Sequence, residues 1–136
     1  MTTRRVLIVD DSLLMRMVIR EIVKADDDFE IVGEAVDGAD GLEKAAVLRP
    51  DIILLDIEMP RMDGLQALKR LRLISVAKVI VVSSAAQLGS AQALEAQRLG
   101  AVAVIAKPSG ALSLDMKSRR GHDIVVAMRA ALGLPP

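Results

Sequence analysis

The feature that most constrains this chain is an alternation of short, continuous apolar runs with amphipathic stretches. The runs are Val6-Leu7-Ile8-Val9, Ile31-Val32, Ile52-Ile53-Leu54-Leu55, Val79-Ile80-Val81-Val82 and Val102-Ala103-Val104-Ile105. A strand with one face in water alternates apolar and polar residues, whereas a strand covered on both faces is apolar throughout. Four runs are of the second kind; Ile31-Val32 is shorter and mixed, as an edge strand would be. Between the runs lie helical patterns. Ser12 precedes Leu14, Val18 and Ile22, and Asp37 precedes Ala39, Leu42 and Ala46, a segment that stops at Arg49-Pro50. Asp63 precedes Leu65, Leu68 and Leu71, and an Ala/Gln-rich segment runs from about Ser90 to Leu99 and ends at Gly100. Ile124, Val125, Met128, Ala131 and Leu132 form one stripe of a last helix from about His122 to Leu132. Ser and Asp at those starts cap the first turn through their side-chain oxygens. The pattern predicts a doubly wound (βα)5 α/β fold: a parallel sheet with right-handed crossovers and helices on both faces. No Gly/Ser linker divides the 136 residues, so we expect one domain over 1–136. Its core would cover about 4–132, with a long loop at 109–120 before the last helix and a tail at 133–136.

Composition removes several function classes. There is no cysteine, which excludes disulfides, thiol catalysis and thiolate metal sites. Eighteen basic residues balance eighteen acidic ones, against the excess of a domain that grips nucleic acid through phosphates. Phe29 is the only aromatic residue, so there is no stacking platform for single strands. No GxGxxG follows the first run and no GxxxxGK[ST] occurs, so dinucleotide and P-loop sites are excluded. The N-terminal apolar stretch of four residues is too short for a signal peptide or a span. The expectation is a soluble cytoplasmic protein with no direct contact to nucleic acid or membrane.

In a doubly wound sheet, ligands bind outside the carboxyl ends of the strands. Polar residues collect there. The first run leads into Asp10 and Asp11, the third into Asp56, the fourth into Ser83 and Ser84, and the fifth is followed by Lys107-Pro108. With strand order 2-1-3-4-5 the first and third strands are neighbours, and three carboxylates share one pocket. Two like charges at about 4 Å repel by roughly 4 kcal/mol at an effective dielectric of 20. A proton or a divalent cation must relieve this. Carboxylate oxygens without His or Cys favour Mg2+, which commonly bridges to a phosphoryl group. The constellation points to phosphoryl transfer with an Asp nucleophile, Lys107 neutralising charge and Ser83 donating to a phosphoryl oxygen. Each residue alone has a plainer reading as a cap, a structural hydroxyl or a surface charge; their coincidence at the ends of four strands carries the argument. Asp63 reads as a helix cap, and His122, the only histidine, as a solvated side chain.

The segments VLIVDDS, LLDIEMPRMDG, VVSSA and GAVAVIAKPSG together resemble the receiver domain of two-component response regulators, over about residues 4–132. The resemblance implies a flavodoxin-like (βα)5 fold with a five-stranded parallel sheet of order 2-1-3-4-5. It implies Asp56 as phosphoacceptor, and Asp10, Asp11, Asp56 and the backbone carbonyl of Glu58 as ligands of Mg2+ (or Mn2+). Ser83 would be the switch hydroxyl, Lys107 would pair with the phosphoryl group, and the Lys107–Pro108 peptide would be cis. A sensor histidine kinase would supply the phosphoryl group. The face made by the fourth helix, fifth strand and fifth helix would present the result to a downstream protein, a tethered output domain, or a second copy as a homodimer. DIEMPRMDGL, VVSSAAQLGS and AKPSGALSLDM further resemble the receiver half of chemotaxis protein-glutamate methylesterases. The esterase half needs a Ser/His/Asp constellation, and the single histidine lies inside the receiver region. The expectation is therefore no enzyme beyond self-phosphorylation and dephosphorylation, as an excised regulatory domain or a stand-alone receiver.

Two departures from the family pattern stand out. The family often carries an aromatic three residues before the lysine; here that switch position is Val104. Coupling from Ser83 would then run through backbone and aliphatic packing. Glu58 is an acid where many receivers have a neutral polar residue, and we expect it to influence the dephosphorylation rate. Two other functions compete. A pseudo-receiver would bind partners without phosphate, but such chains usually lose an acid or the lysine. A haloacid-dehalogenase-like phosphohydrolase needs DxD on the first strand, whereas here the spaced pair is Asp56-Ile57-Glu58 on the third.

Overall fold

The computed structural model describes residues 3–59, 62–84, 89–107 and 114–136, with the side chains of 114–120 excepted. The elements alternate without exception: β1 (Arg4–Val9), α1 (Leu13–Lys24), β2 (Phe29–Ala35), α2 (Gly38–Leu48), β3 (Ile52–Asp56), α3 (Gly64–Ile74), β4 (Lys78–Ser83), α4 (Ala91–Arg98), β5 (Ala103–Ala106) and α5 (Leu114–Ala131). All strand pairs are parallel. Their order is β2-β1-β3-β4-β5, the flavodoxin-like arrangement expected, with β2 at the edge.

Successive residues of a strand point to opposite faces, and here both faces are covered. Leu7, Val9, Ile53, Leu55, Val79 and Val81 pack with Ala45, Leu68, Leu71 and Ala96 on the side of α2, α3 and α4. Val6, Ile8, Ile52, Leu54, Ile80 and Val82 pack with Ile19, Val23, Ile124 and Met128 on the side of α1 and α5. This explains the unbroken apolar runs 6–9 of β1, 52–55 of β3 and 79–82 of β4. Each fully buried Leu or Ile contributes about 1.5–3 kcal/mol.

The capping residues stand where the sequence puts them. Ser12, Asp37, Asp63 and Ser90 accept hydrogen bonds from the backbone N–H three residues on in α1, α2, α3 and α4. The inward stripes differ in part. In α1 Leu14 is exposed and the buried positions are Val18, Ile19 and Val23. The segment LLMRMVIREIV carries apolar residues on more than one face, and contact with the sheet selects one of them. In α2 the buried residues are Gly38, Gly41 and Ala45 rather than Ala39 and Ala46. A Cβ at Gly41 would lie 3.1 Å from both γ-methyls of Val9, so the helix approaches the sheet along its smallest residues.

The last connection is shorter than expected: α5 begins at Leu114, so most of the 109–120 loop is helix. Residues 114–120 contain no Gly or Pro and consist mainly of good helix formers. Gly121, which interrupts the apolar pattern, lies inside the helix, where a Cβ would be 3.1 Å from Ile22 Cγ1 on α1. The expected cis peptide at Pro108 falls outside the described residues. No described helix is long and apolar enough to cross a membrane.

Candidate functional site

The parallel register delivers the polar residues to one end of the sheet. Val9 pairs with Leu55 and Leu55 with Val81, so Asp10, Asp56 and Ser83 emerge at nearly the same level. The backbone N–H of Lys107 donates to the Ser83 carbonyl at 2.7 Å, tying the end of β5 to the end of β4. Asp10 and Asp56 are almost fully buried, at 2% and 1% exposure, and Ser83 is wholly buried. Asp11 is exposed at the rim. Carboxylate oxygens of Asp10, Asp11 and Asp56 all lie within 4.8 Å of one another.

Lys107 is the cation placed among them. Its Nζ is 3.2 Å from Asp56 Oδ1 and 3.6 Å from Asp10 Oδ2. The other contacts hold the carboxylates by one oxygen each. Ser12 N–H donates to Asp10 Oδ1 and Glu58 N–H to Asp56 Oδ1, both at 2.9 Å. The second oxygens, Asp10 Oδ2 and Asp56 Oδ2, are buried without a hydrogen-bond partner. Such atoms are expensive unless something occupies the space they face.

The titration behaviour follows. Burial pushes Asp56 up from the ordinary 3.8 to about 6, and the Asp10 charge adds to it against the pull of the Glu58 N–H and Lys107. Asp10 is raised for the same first reason, with Asp11 adding to the rise. Burial works against the charged form of Lys107, but the Asp56 and Asp10 carboxylates outweigh it and raise its pKa. Glu58 is the exception: despite some desolvation, hydrogen bonds from Ser84 and Ser83 lower its pKa.

The sequence-derived residues Asp10, Asp11, Asp56, Ser83 and Lys107 are thus brought together. Val104 is half-buried on β5, packed against the layer of α2, α3 and α4. His122 is exposed, as read. Two features escaped the sequence. The Glu58 side chain reaches across to β4, where Oε1 accepts from Ser83 Oγ and Ser84 N–H, both at 3.2 Å. Arg16 donates from Nη1 to the Asp10 carbonyl at 2.8 Å and pairs through Nε with Glu34 at 3.2 Å, fixing the loop after β1. Its signal was the spacing of Arg16 and Arg20 on one helix face, since both reach Glu34.

These buried oxygens, which accept no hydrogen bond, suit a hard divalent cation. All three donors are carboxylates, and one of them is open to solvent for exchange.

A buried acid at the end of the third strand, an acidic pair after the first, a hydroxyl after the fourth and a lysine after the fifth define a class of signalling domain. The chain belongs to the response regulator receiver domain family, whose profile matches residues 6–129. It is similar to a protein-glutamate methylesterase/protein-glutamine glutaminase of Syntrophomonas wolfei, 48% identical over 87% of this chain and 34% of that protein. The chain spans about a third of the length of the curated relatives it matches. Among solved structures, the response regulator domain of Thermotoga maritima CheB superposes with a TM-score of 0.87 at 42% identity, covering 98% of this chain and 99% of that one. CheY6 of R. sphaeroides, in its complex with the P1 domain of CheA3, gives a TM-score of 0.81 at 39% identity, covering 98% and 99%.

Proposed function

We propose that the chain accepts a phosphoryl group on Asp56 from the phosphohistidine of a sensor histidine kinase and relays this state to a partner in a chemotaxis-like pathway. The single observation behind this reading is Asp56 itself: buried, raised to about 6, held at Oδ1 by Glu58 N–H and Lys107, with Oδ2 free. A buried carboxylate oxygen with no hydrogen-bond partner at the carboxyl end of β3 supports a nucleophile there. The P–N bond to the donor imidazole breaks as the P–O bond to Asp56 forms, and the imidazole leaves with its electron pair and takes a proton from solvent.

Asp10, Asp11, Asp56 and the Glu58 carbonyl would hold Mg2+ (or Mn2+), which when bound supplies charge neutralisation at the phosphoryl oxygens. Lys107 is already between Asp10 and Asp56 and needs little movement to pair with a phosphoryl oxygen. Ser83 and the Ser84 N–H are neutral donors at the end of the neighbouring strand β4. The donor domain approaches over the rim, where Leu13, Leu14 and Met17 at the start of α1 are exposed. That the similar CheY6 was solved in complex with the P1 domain of CheA3 supports a protein donor that docks on a receiver of this kind. The similarity to methylesterase receivers supports an output through α4, β5 and α5, either to a tethered domain or to a separate protein. With Val104 in place of an aromatic, the signal travels by aliphatic repacking of β5 against α4.

The test is intact mass after incubation with Mg2+ and a small-molecule phosphodonor. One phosphoryl adduct is expected on the wild type, and none without Mg2+ or on Asp56→Asn. An unmodified wild type with a kinase donor as well would overturn the assignment.

A further inference from the structure

We propose that Glu58 is a positioning residue for the switch: in the unphosphorylated chain its carboxylate latches Ser83 and Ser84, whose donors must leave it before they can reach a phosphoryl oxygen on Asp56. The inference rests on the phosphoacceptor reading and adds a ground-state restraint to it.

Glu58 follows β3 and is exposed, yet its side chain turns back over the end of β4. One oxygen, Oε1, takes both the Ser83 hydroxyl and the Ser84 N–H at 3.2 Å. Ser83 therefore spends its proton on Glu58, while Asp56 Oδ2 has no partner. The same residue grips the phosphoacceptor from its other end, through N–H to Asp56 Oδ1 at 2.9 Å. Two donors on an ionised acceptor form a charge-assisted pair, stronger than the same contacts to a neutral group. A phosphoryl dianion offers the same two donors a more highly charged acceptor. Phosphorylation is then an exchange of acceptors, with Glu58 setting how far the exchange is resisted. If the latched form outnumbers the released form by about ten to one, anything that needs released donors binds about tenfold more weakly than it otherwise would.

The experiment uses the whole 15N-labelled chain as wild type, Glu58→Ala, Ser83→Ala and the double variant. Glu58 is exposed, so its replacement leaves the core intact. In the free proteins, Glu58→Ala should move the Ser84 amide proton upfield and speed its exchange. Titration with beryllofluoride in Mg2+ should show about tenfold tighter binding for Glu58→Ala. In the Ser83→Ala background the same substitution should give less than a threefold gain, because one latched donor is already gone. Glu58→Gln, which keeps an acceptor without its charge, should fall between. An unchanged Ser84 amide in Glu58→Ala would overturn the latch. So would an equal gain with and without Ser83, which would assign the effect to charge removal alone. A wild type that gives no response to beryllofluoride would count against the phosphoacceptor reading instead, and the Ser84 amide comparison would still decide the latch.

Discussion

Asp56→Asn should make this protein more stable while abolishing the phosphorylation proposed for it. Burial moves the Asp56 carboxyl from 3.8 to about 6 in the folded chain. At about 1.36 kcal/mol per pH unit, ionised Asp56 costs the fold about 3 kcal/mol at neutral pH. The sign follows from proton counts. Between about pH 4 and 6 the folded state binds more protons than the unfolded state, so stability falls as pH rises, and above pH 6 the whole cost is present. An amide at this position keeps an oxygen for the Glu58 N–H and replaces the unpartnered Oδ2 by a neutral group. We expect a gain of about 2–3 kcal/mol at pH 7.5 in EDTA, shrinking toward zero near pH 4. The assay is urea denaturation followed by far-UV circular dichroism, since the chain has no Trp. With a urea slope of about 1–3 kcal/mol/M the midpoint should rise by about 0.7–3 M. A loss of stability at pH 7.5, or a gain that persists unchanged at pH 4, would refute the electrostatic reasoning.

Three further outcomes follow from the same geometry. Lys107→Ala removes the ammonium between Asp10 and Asp56 and should cost about 3 kcal/mol at pH 7.5 in the same denaturation assay. That loss should shrink at pH 5, where Asp56 is mostly protonated. Addition of Mg2+ should raise the melting temperature of the wild type, by an amount equivalent to about 2.7 kcal/mol at a hundredfold excess over Kd. Asp11→Asn, a change at an exposed rim position, should abolish most of that rise in a calorimetric scan. Gly64→Ala should cost about 1–3 kcal/mol and disturb Asp56. A Cβ there would overlap Ile57 Cα and lie 2.5 Å from the Asp56 carbonyl oxygen, and backbone cannot move aside as a side chain can. Urea midpoints and the Asp56 side-chain pKa by carbon-detected NMR would show both effects.

The residues that were legible in the sequence share a physical origin. Asp10, Asp56, Ser83 and Lys107 each interrupt or follow an apolar run, and in a parallel sheet the end of every run is the same end of the molecule. The caps were legible because Ser and Asp act on the backbone three residues ahead, a purely local relation. What was not legible depended on neighbours. The buried face of α1 could not be chosen from LLMRMVIREIV until the sheet was in place beneath it. On α2 Leu42 packs inward as its spacing indicated, but the fully buried positions are Gly38, Gly41 and Ala45, small residues that carry little hydrophobic signal of their own. Gly121 masked the first turns of α5 because its lack of a side chain serves contact with Ile22 rather than an ending. The reach of Glu58 to Ser83 spans 25 residues and two elements, beyond any local pattern.

The scatter of site residues along the chain has a consequence for biosynthesis. The acids come early, at positions 10, 11 and 56, while Lys107 sits after the last strand. A ribosome delivers the chain from its N-terminus, so the carboxylates are made long before their ammonium partner. A chain that has paired β1 with β3 but not yet added β5 holds buried like charges without a cation of its own. Such an intermediate is destabilised at the carboxyl ends of β1 and β3, where Lys107 later pairs with Asp10 and Asp56. On the phosphoacceptor reading proposed above, only a molecule with every strand docked would be competent to receive a signal, and half-made copies would stay silent.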